Sequence, residues 1–442
     1  MAAGSAAAEV AVVGAGSSGL AVLSALRRHG VHVEGFERGS ELGGMWRYEN
    51  DSGLSGAYAS LRTNVSRPRM QYPSFPMPQD YPDFPSHQDM AAYLDAYADA
   101  TGVRELIRFG TAVRRLDPVP GPGWQLALDD GTARSYRAVV VATGVFWCPR
   151  RPEYPGSFTG AQCHSHGYRD PAPFSGRRVL VVGSGQSAAE IAVEVSAVAA
   201  RTFLSVRSGV QVVPRWIGGR PYDTADVAPL NRMPWRWLNR AFSRRVRREL
   251  GPLPASWPRP RGRLLEGIPI ISSELLPAVR RGAIVVRPAI ERLLGDRVGF
   301  VDGSVEDVDR IVYATGYRLT LPFATAFPLA AQGRDLPLYR RIARPDADGL
   351  FFSGFVDAPG GLLPVVQAQG EWIAAVVTGR LRLPPAPQML SAMRHAERRT
   401  RQRFPDDAAS SIRCDPHAYR RRLESDLRRS ASGVRPGLRG PG

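Results

Sequence analysis

Residues 10–39 read VAVVGAGSSGLAVLSALRRHGVHVEGFERG. The apolar run Val10–Val13 predicts a buried strand that passes directly into Gly14-x-Gly16-x-x-Gly19. Leu20, Leu23 and Leu26 then fall at helical spacing, and a second strand is expected over Val31–Phe36, closing on Glu37. Strand, glycine turn, helix and strand form the setting in which this spacing acquires meaning. Gly14 permits the tight turn, Gly16 lets backbone approach a pyrophosphate, and Gly19 lets the helix lie close on the strand. The helix N-terminus offers unpaired amides to phosphate oxygens. Glu37 stands 23 residues beyond Gly14, where a carboxylate accepts hydrogen bonds from a ribose hydroxyl.

The pattern recurs over residues 177–209, RRVLVVGSGQSAAEIAVEVSAVAARTFLSVRSG. Here a strand, Val179–Val182, meets Gly183-x-Gly185-x-x-Ala188, with Ser187 in the turn, and a later strand spans Thr202–Val206. Ala188 keeps the third position small, as helix-on-strand packing requires. Where the first unit ends in an acid, this one ends in Arg207, 24 residues after Gly183. A carboxylate repels a 2′-phosphate, whereas a guanidinium grips one bidentately. The first turn therefore suits FAD or NAD, and the second suits NADPH. Two β-branched runs, YRAVVVATG (136–144) and VDRIVYATGY (308–317), each close on Ala-Thr-Gly and bracket the second unit, placing Thr143, Thr315 and Gly316 at strand ends. The expected fold is α/β, with two Rossmann-like dinucleotide-binding domains, the second inserted into the first.

Composition narrows the remaining choices. The 442 residues carry a net charge of +17, yet all 58 basic residues are Arg, spread along the chain. That reads as the codon bias of a GC-rich bacterial genome, and no aromatic-interleaved nucleic-acid module accompanies it. Three cysteines without a CxxC argue against a disulfide framework, a zinc knuckle or a dithiol redox centre, so a reducing, cytoplasmic compartment is expected. No apolar run reaches membrane-helix length, and residues 1–26 lack the basic start of a secretory signal. In FTGAQCHSHGYRD (158–170), Cys163 and His164 are adjacent, so their side chains diverge in regular structure and no metal is expected there.

From about Ala8 to about Pro384 the chain resembles the flavin-containing monooxygenases, the single-component kind using FAD and NADPH. The matching pieces follow in order: the first glycine turn with Glu37, ELGGMWRY (41–48), LRTN (61–64), the 158–170 stretch, the second glycine turn, and YATGY (313–317). The resemblance places Gly44 and Trp46 near the flavin. It makes Phe158, Gly160, His164 and Tyr168 the family fingerprint at the junction of the FAD and NADPH domains, with His164 ordering that junction. Baeyer–Villiger relatives usually carry Trp at the position of Tyr168, which tilts the reading toward N- or S-oxygenation. Asn64 matches the family's active-site Asn, which the resemblance implies supports NADP⁺ and the flavin C4a-peroxide; an amide both donates and accepts without titrating near neutrality.

The implied enzyme is an NADPH-dependent flavin monooxygenase of the N,N-dimethylaniline monooxygenase type, acting on an amine, a thioether or a similar small molecule with O₂. A Baeyer–Villiger ketone oxygenase and a non-catalytic FAD/NADP-binding protein are the alternatives, and a homodimer is left open. Analogy suggests a tailoring role in bacterial secondary metabolism. The expected boundaries are 1–165 and 321–384 for the FAD domain, 166–320 for the NADPH domain, and 385–442 for a charged extension with a disordered end. Segment 231–263, rich in Arg and Trp, is expected to cover the NADPH domain rather than lie in a membrane interface, because proline interrupts any long helix.

Overall fold

Val10, Ala11, Val12 and Val13 are all buried, as befits a strand with neighbours on both sides and side chains packed on both faces. The computed structural model describes residues 9–224, 235–260, 262, 264, 267–327, 336–403 and 412–431. The chain divides into two units, one comprising Met1–Ser55, Arg67–Val145 and Leu319–Gly442, the other Gly56–Ser66 and Phe146–Arg318.

In the first unit, Val10–Val13 is the central strand of a five-stranded parallel sheet. The order runs Leu350–Phe352, Ala138–Val141, Val10–Val13, Val33–Phe36, Ile107–Arg108. Helix Ser17–Arg28 buries Leu20, Leu23 and Leu26 and packs on helix Leu363–Val377. That approach needs Gly370, where a Cβ would lie 2.8 Å from the Ala21 carbonyl oxygen. A three-stranded antiparallel sheet, Val113–Pro118, Trp124–Leu128 and Ala133–Tyr136, completes the strands from this part of the chain.

The extension expected as a charged tail contributes two helices, Ala386–Arg403 and Pro416–Ala431. The second packs on Leu363–Val377 and buries Leu423. Its Asp426 accepts from Arg340 Nε at 2.7 Å and from Trp372 Nε1 at 3.3 Å. Residues 432–442, expected to be disordered, lie outside the described residues.

The second unit repeats the plan. Its parallel sheet runs Ile284–Arg287, Arg201–Ser205, Arg178–Val182, Arg310–Tyr313, Ala161–His164, again with the strand before the glycine turn at the centre. Helix Gln186–Val195 buries Ala188, Ala189, Ile191, Ala192 and Val195 in a core shared with Val179, Val181 and Leu204. A second sheet orders Val305–Asp307, Arg297–Phe300, Ile290–Gly295 and Gly156–Phe158. Strands Gly156–Phe158 and Ala161–His164 belong to this unit, whose longer segment is Phe146–Arg318. The short excursion Gly56–Ser66 also belongs to it, and the Ala59 amide donates to the Arg169 carbonyl at 2.8 Å.

Within 231–263, a helix spans Trp235–Leu250, fitted between Pro234 and Pro252. It buries Asn239, Val246 and Leu250 and packs Phe242 against the core of the unit. Pro252 stands just past the end of the helix and does not interrupt it. Residues 231–234, 261 and 263 lie outside the described residues.

Candidate functional site

Steric contacts explain both glycine turns. Gly14 has φ +103°, its amide donates to the Phe36 carbonyl at 2.7 Å, and a Cβ would sit 2.8 Å from the Ala142 carbonyl oxygen. A Cβ on Gly19 would lie 1.8 Å from the Gly14 oxygen. Gly16 differs: its nearest neighbour in the Cβ direction is the Gly44 Cα at 3.8 Å, and it caps helix Ser17–Arg28 without any side-chain bond. The amides of that first turn carry no side-chain cap and could meet a phosphate. The Gly43 amide donates to the Ala15 carbonyl at 3.0 Å, which lays the Gly44–Trp46 turn on the glycine turn, with Trp46 half-buried.

Glu37 binds the loop around it. Its Oε2 accepts the Ala15 N–H at 2.8 Å and its Oε1 the Gly39 N–H at 2.9 Å. Burial pushes its carboxyl above the ordinary value, against the backbone amides that favour the charged form. Each oxygen keeps a second lone pair for a ribose hydroxyl. Thr143, beside Gly14, has a buried hydroxyl without a partner among the described residues. Uncapped amides, a held carboxylate and this hydroxyl fit the phosphate and ribose of a dinucleotide such as FAD.

The second turn copies the first. Gly183 has φ +145°, its amide donates to the Ser205 carbonyl at 3.0 Å, and a Cβ would lie 2.3 Å from the Ala314 oxygen. The two Ala-Thr-Gly strand ends are thus what forces glycine at both positions. Gly185 is exposed and caps helix Gln186–Val195 without a side-chain bond, and Ser187 is exposed in the first turn. Arg207, two residues beyond strand Arg201–Ser205, is also exposed. The donors present suit a phosphorylated dinucleotide. Thr315 is committed elsewhere: its hydroxyl donates to the Arg150 carbonyl, and its own carbonyl accepts from Arg150 Nε at 3.1 Å.

The 158–170 stretch builds rather than reacts. Phe158 ends one strand, and a Cβ on Gly160 would meet the Asp309 oxygen at 2.4 Å and the Phe158 ring at 2.6 Å. His164 pairs in register with Tyr313. Its Nδ1 accepts the His166 N–H at 3.1 Å, so Nε2 carries the proton and donates to the Gly316 carbonyl at 3.1 Å. Burial pushes its pKa down to about 4, leaving a neutral ring at neutral pH. Buried Tyr168 donates to Glu194 Oε2 at 2.6 Å and meets Tyr58 edge-on at 5.8 Å between ring centroids.

Asn64 sits in a segment held by its backbone. The Thr63 carbonyl accepts from Arg215 Nη1 at 2.9 Å, the Asn64 carbonyl from the Tyr222 hydroxyl at 3.0 Å, and the Ser66 amide donates to Asp223 Oδ2 at 2.8 Å. Its side chains are unspent. Thr63 Oγ1, Asn64 Oδ1, Ser66 Oγ and Asp223 Oδ1 are buried without partners among the described residues. Buried polar atoms in native proteins are nearly always satisfied, and this concentration of unpartnered oxygens among the described residues could hold a ligand. The sequence reading missed Glu190, Arg215, Tyr222 and Asp223. The one available signal was Glu190 and Glu194, four apart on an otherwise apolar helix.

The first unit contains a cavity of about 300 Å³ lined by Arg69, Gly361, Val365, His417 and Arg420 among others. Burial, with the Arg69 charge next, pushes the His417 pKa down.

Comparison with known proteins now decides the family. Residues 7–431 match the family described as FMO-like, flavin-binding monooxygenase-like. The chain belongs to that family. FAD and NADPH are the cofactors of its flavoproteins. Flavin-containing monooxygenase 3 of Homo sapiens is 29% identical over 457 aligned residues, covering 97% of this chain and 84% of the relative. Dimethylaniline monooxygenase [N-oxide-forming] 4 of Rattus norvegicus is 30% identical, covering 87% and 72%. Among solved structures, the S-allyl-L-cysteine S-oxygenase of Allium sativum superposes with a TM-score of 0.72 at 25% identity, covering 96% of this chain and 89% of that one. Cyclohexanone monooxygenase of Rhodococcus sp. Phi1, solved bound to NADP⁺, shares the fold at a TM-score of 0.71 and 17% identity, covering 97% and 99%. Among the described residues of this flavin-binding monooxygenase-like chain, no helix is long and apolar enough to cross a membrane.

Proposed function

We propose that this chain uses NADPH to place one atom of O₂ on a nitrogen or sulfur nucleophile, the other atom leaving as water. The balance is NADPH, a proton, O₂ and substrate giving NADP⁺, water and the N- or S-oxide. The observation that carries the reading is the pair of uncapped glycine turns ending in unlike side chains, Glu37 for an unmodified ribose and Arg207 for a 2′-phosphate. Bound flavin supplies the two-electron chemistry that activates O₂.

The protein's own residues position and shield. Asn64 offers an unspent, buried amide oxygen, able to hold a ligand donor at any pH near neutrality. Neutral His164 holds the Gly316 carbonyl and keeps its proton there. No acid–base dyad is required, since a soft nucleophile needs only dry, ordered surroundings. The N-oxide-forming and S-oxygenase relatives support heteroatom oxidation over ketone oxidation. Tyr168 bears on this less directly, because its hydroxyl is bonded within the core to Glu194.

The test supplies purified protein with NADPH and, separately, a tertiary amine, a thioether and a cyclic ketone. N-oxide or sulfoxide with matching O₂ uptake is expected. Lactone as the sole product would replace this reading with Baeyer–Villiger oxidation. Asn64→Ala should keep oxidising NADPH while releasing hydrogen peroxide; unchanged product per NADPH would remove Asn64 from the site.

A further inference from the structure

We propose that Arg215 is a positioning residue for Asn64, tied to the second glycine turn through Glu190. This rests on the reading of Asn64 given above and adds how its place is set.

A continuous run of bonds links the two. Gln186, the first residue of the helix after Gly185, donates through Nε2 to Glu190 Oε1 at 2.8 Å. Its amide also bonds both ways with the backbone of Ile271, at 2.9 Å each, which fixes the side chain. Arg215 Nη2 donates to the same Glu190 oxygen at 2.8 Å, and Tyr58 donates to Oε2. The other guanidinium nitrogen, Nη1, donates at 2.9 Å to the carbonyl of Thr63, the residue before Asn64. The first turn of the nucleotide helix is therefore connected through two side chains to the peptide that precedes the amide.

Energetics favour a geometric role. The Arg215 and Glu190 side chains are only 17% and 16% exposed. Taking such a pair out of water costs much of what its attraction returns, and apolar pairs of similar size often stabilise as well or better. An arginine that spans two acceptors in a planar fork does fix an angle between them, which an apolar pair does not. Loss of that fork frees the Thr63 carbonyl on the near side of Asn64, while Tyr222 still holds the Asn64 carbonyl and the Gly183–Ser187 turn keeps its residues.

The experiment is a double-mutant cycle on the FAD-loaded protein, reading NADP⁺ affinity by calorimetry and product formed per NADPH oxidised. Arg215→Met alone would strand a buried carboxylate, so the relay is cut with Glu190→Gln/Arg215→Met, which removes both charges together. That variant and Asn64→Ala should each weaken NADP⁺ binding about tenfold and divert oxygen to hydrogen peroxide, and the triple variant should be no worse than Asn64→Ala alone. Arg215→Lys, which keeps the charge without the fork, should move both readouts in the same direction. Wild-type behaviour of Glu190→Gln/Arg215→Met beside an impaired Asn64→Ala overturns the relay only, as does a triple variant showing the full product of the separate losses. If the double variant loses its flavin, Arg215→Lys decides, and wild-type affinity and yield there overturn the proposal. An Asn64→Ala protein indistinguishable from wild type overturns both readings.

Discussion

Acidification should destabilise the protein through His164 in a way that a single substitution isolates. In the fold, Nδ1 accepts the His166 N–H and Nε2 donates to the Gly316 carbonyl, so a second proton would turn an acceptor into a donor facing a donor. Burial pushes the folded pKa to about 4 from the ordinary 6.5. Between those values the unfolded chain binds the proton and the folded chain does not, so stability is complete above pH 6.5 and falls as pH drops toward 4. With those two values, the loss by pH 5 relative to pH 8 is about 2 kcal/mol. His164→Asn keeps an acceptor for the His166 amide but removes the titration. Urea unfolding of both proteins at pH 8 and pH 5 isolates the effect, because the other titrating groups cancel in the comparison. The wild-type advantage should shrink by that amount at the lower pH, and nitrogen shifts of the ring should report the Nε2–H tautomer at pH 6. A pH-independent difference, with a ring titrating near 6.5, would refute the reasoning.

Gly14→Ala forces a side chain into a left-handed position facing the Ala142 oxygen, and should cost ~1–3 kcal/mol and most of the bound flavin, read from absorbance per protein. Arg207→Ala should raise the KM for NADPH roughly 10- to 100-fold and leave that for NADH unchanged; equal effects would take Arg207 out of the 2′-phosphate site. Tyr168→Phe removes the donor to Glu194 and should lower stability by about 1–3 kcal/mol in thermal unfolding without altering the products. Loss of sulfoxide from a thioether with gain of lactone from a cyclic ketone in that variant would place Tyr168 against the substrate instead.

The glycine turns were legible because their spacing is local and recurs, although the oxygens that force glycine at Gly14 and Gly183, those of Ala142 and Ala314, lie far along the chain at the Ala-Thr-Gly strand ends. Glu37 was legible as a carboxylate after a strand, but its bonds to Ala15 and Gly39 depend on a loop path that spacing does not encode. The surroundings of Asn64 were not legible: Arg215 and Asp223 reach it from far along the chain, and neither sits in a motif. The excursion Gly56–Ser66 is too short to carry a periodicity, so its membership of the second unit emerges only from contacts. The C-terminal extension was read as a tail because arginine dominates it. Its last helix is held by buried Leu423, by Tyr419 bonded to Gln369 and to the Arg340 carbonyl, and by Asp426 paired with Arg340, partners that no local pattern announces.

The central claim, that two cradles of unlike ribose preference serve one oxygenation, is tested most directly by isotope labelling. Purified protein carrying its own FAD is given NADPH, ¹⁸O₂ and a thioether. The account predicts one labelled oxygen in the sulfoxide for each NADPH oxidised, with the second atom in water. Protein that binds no FAD, or NADPH oxidation that leaves the sulfoxide unlabelled, would contradict it.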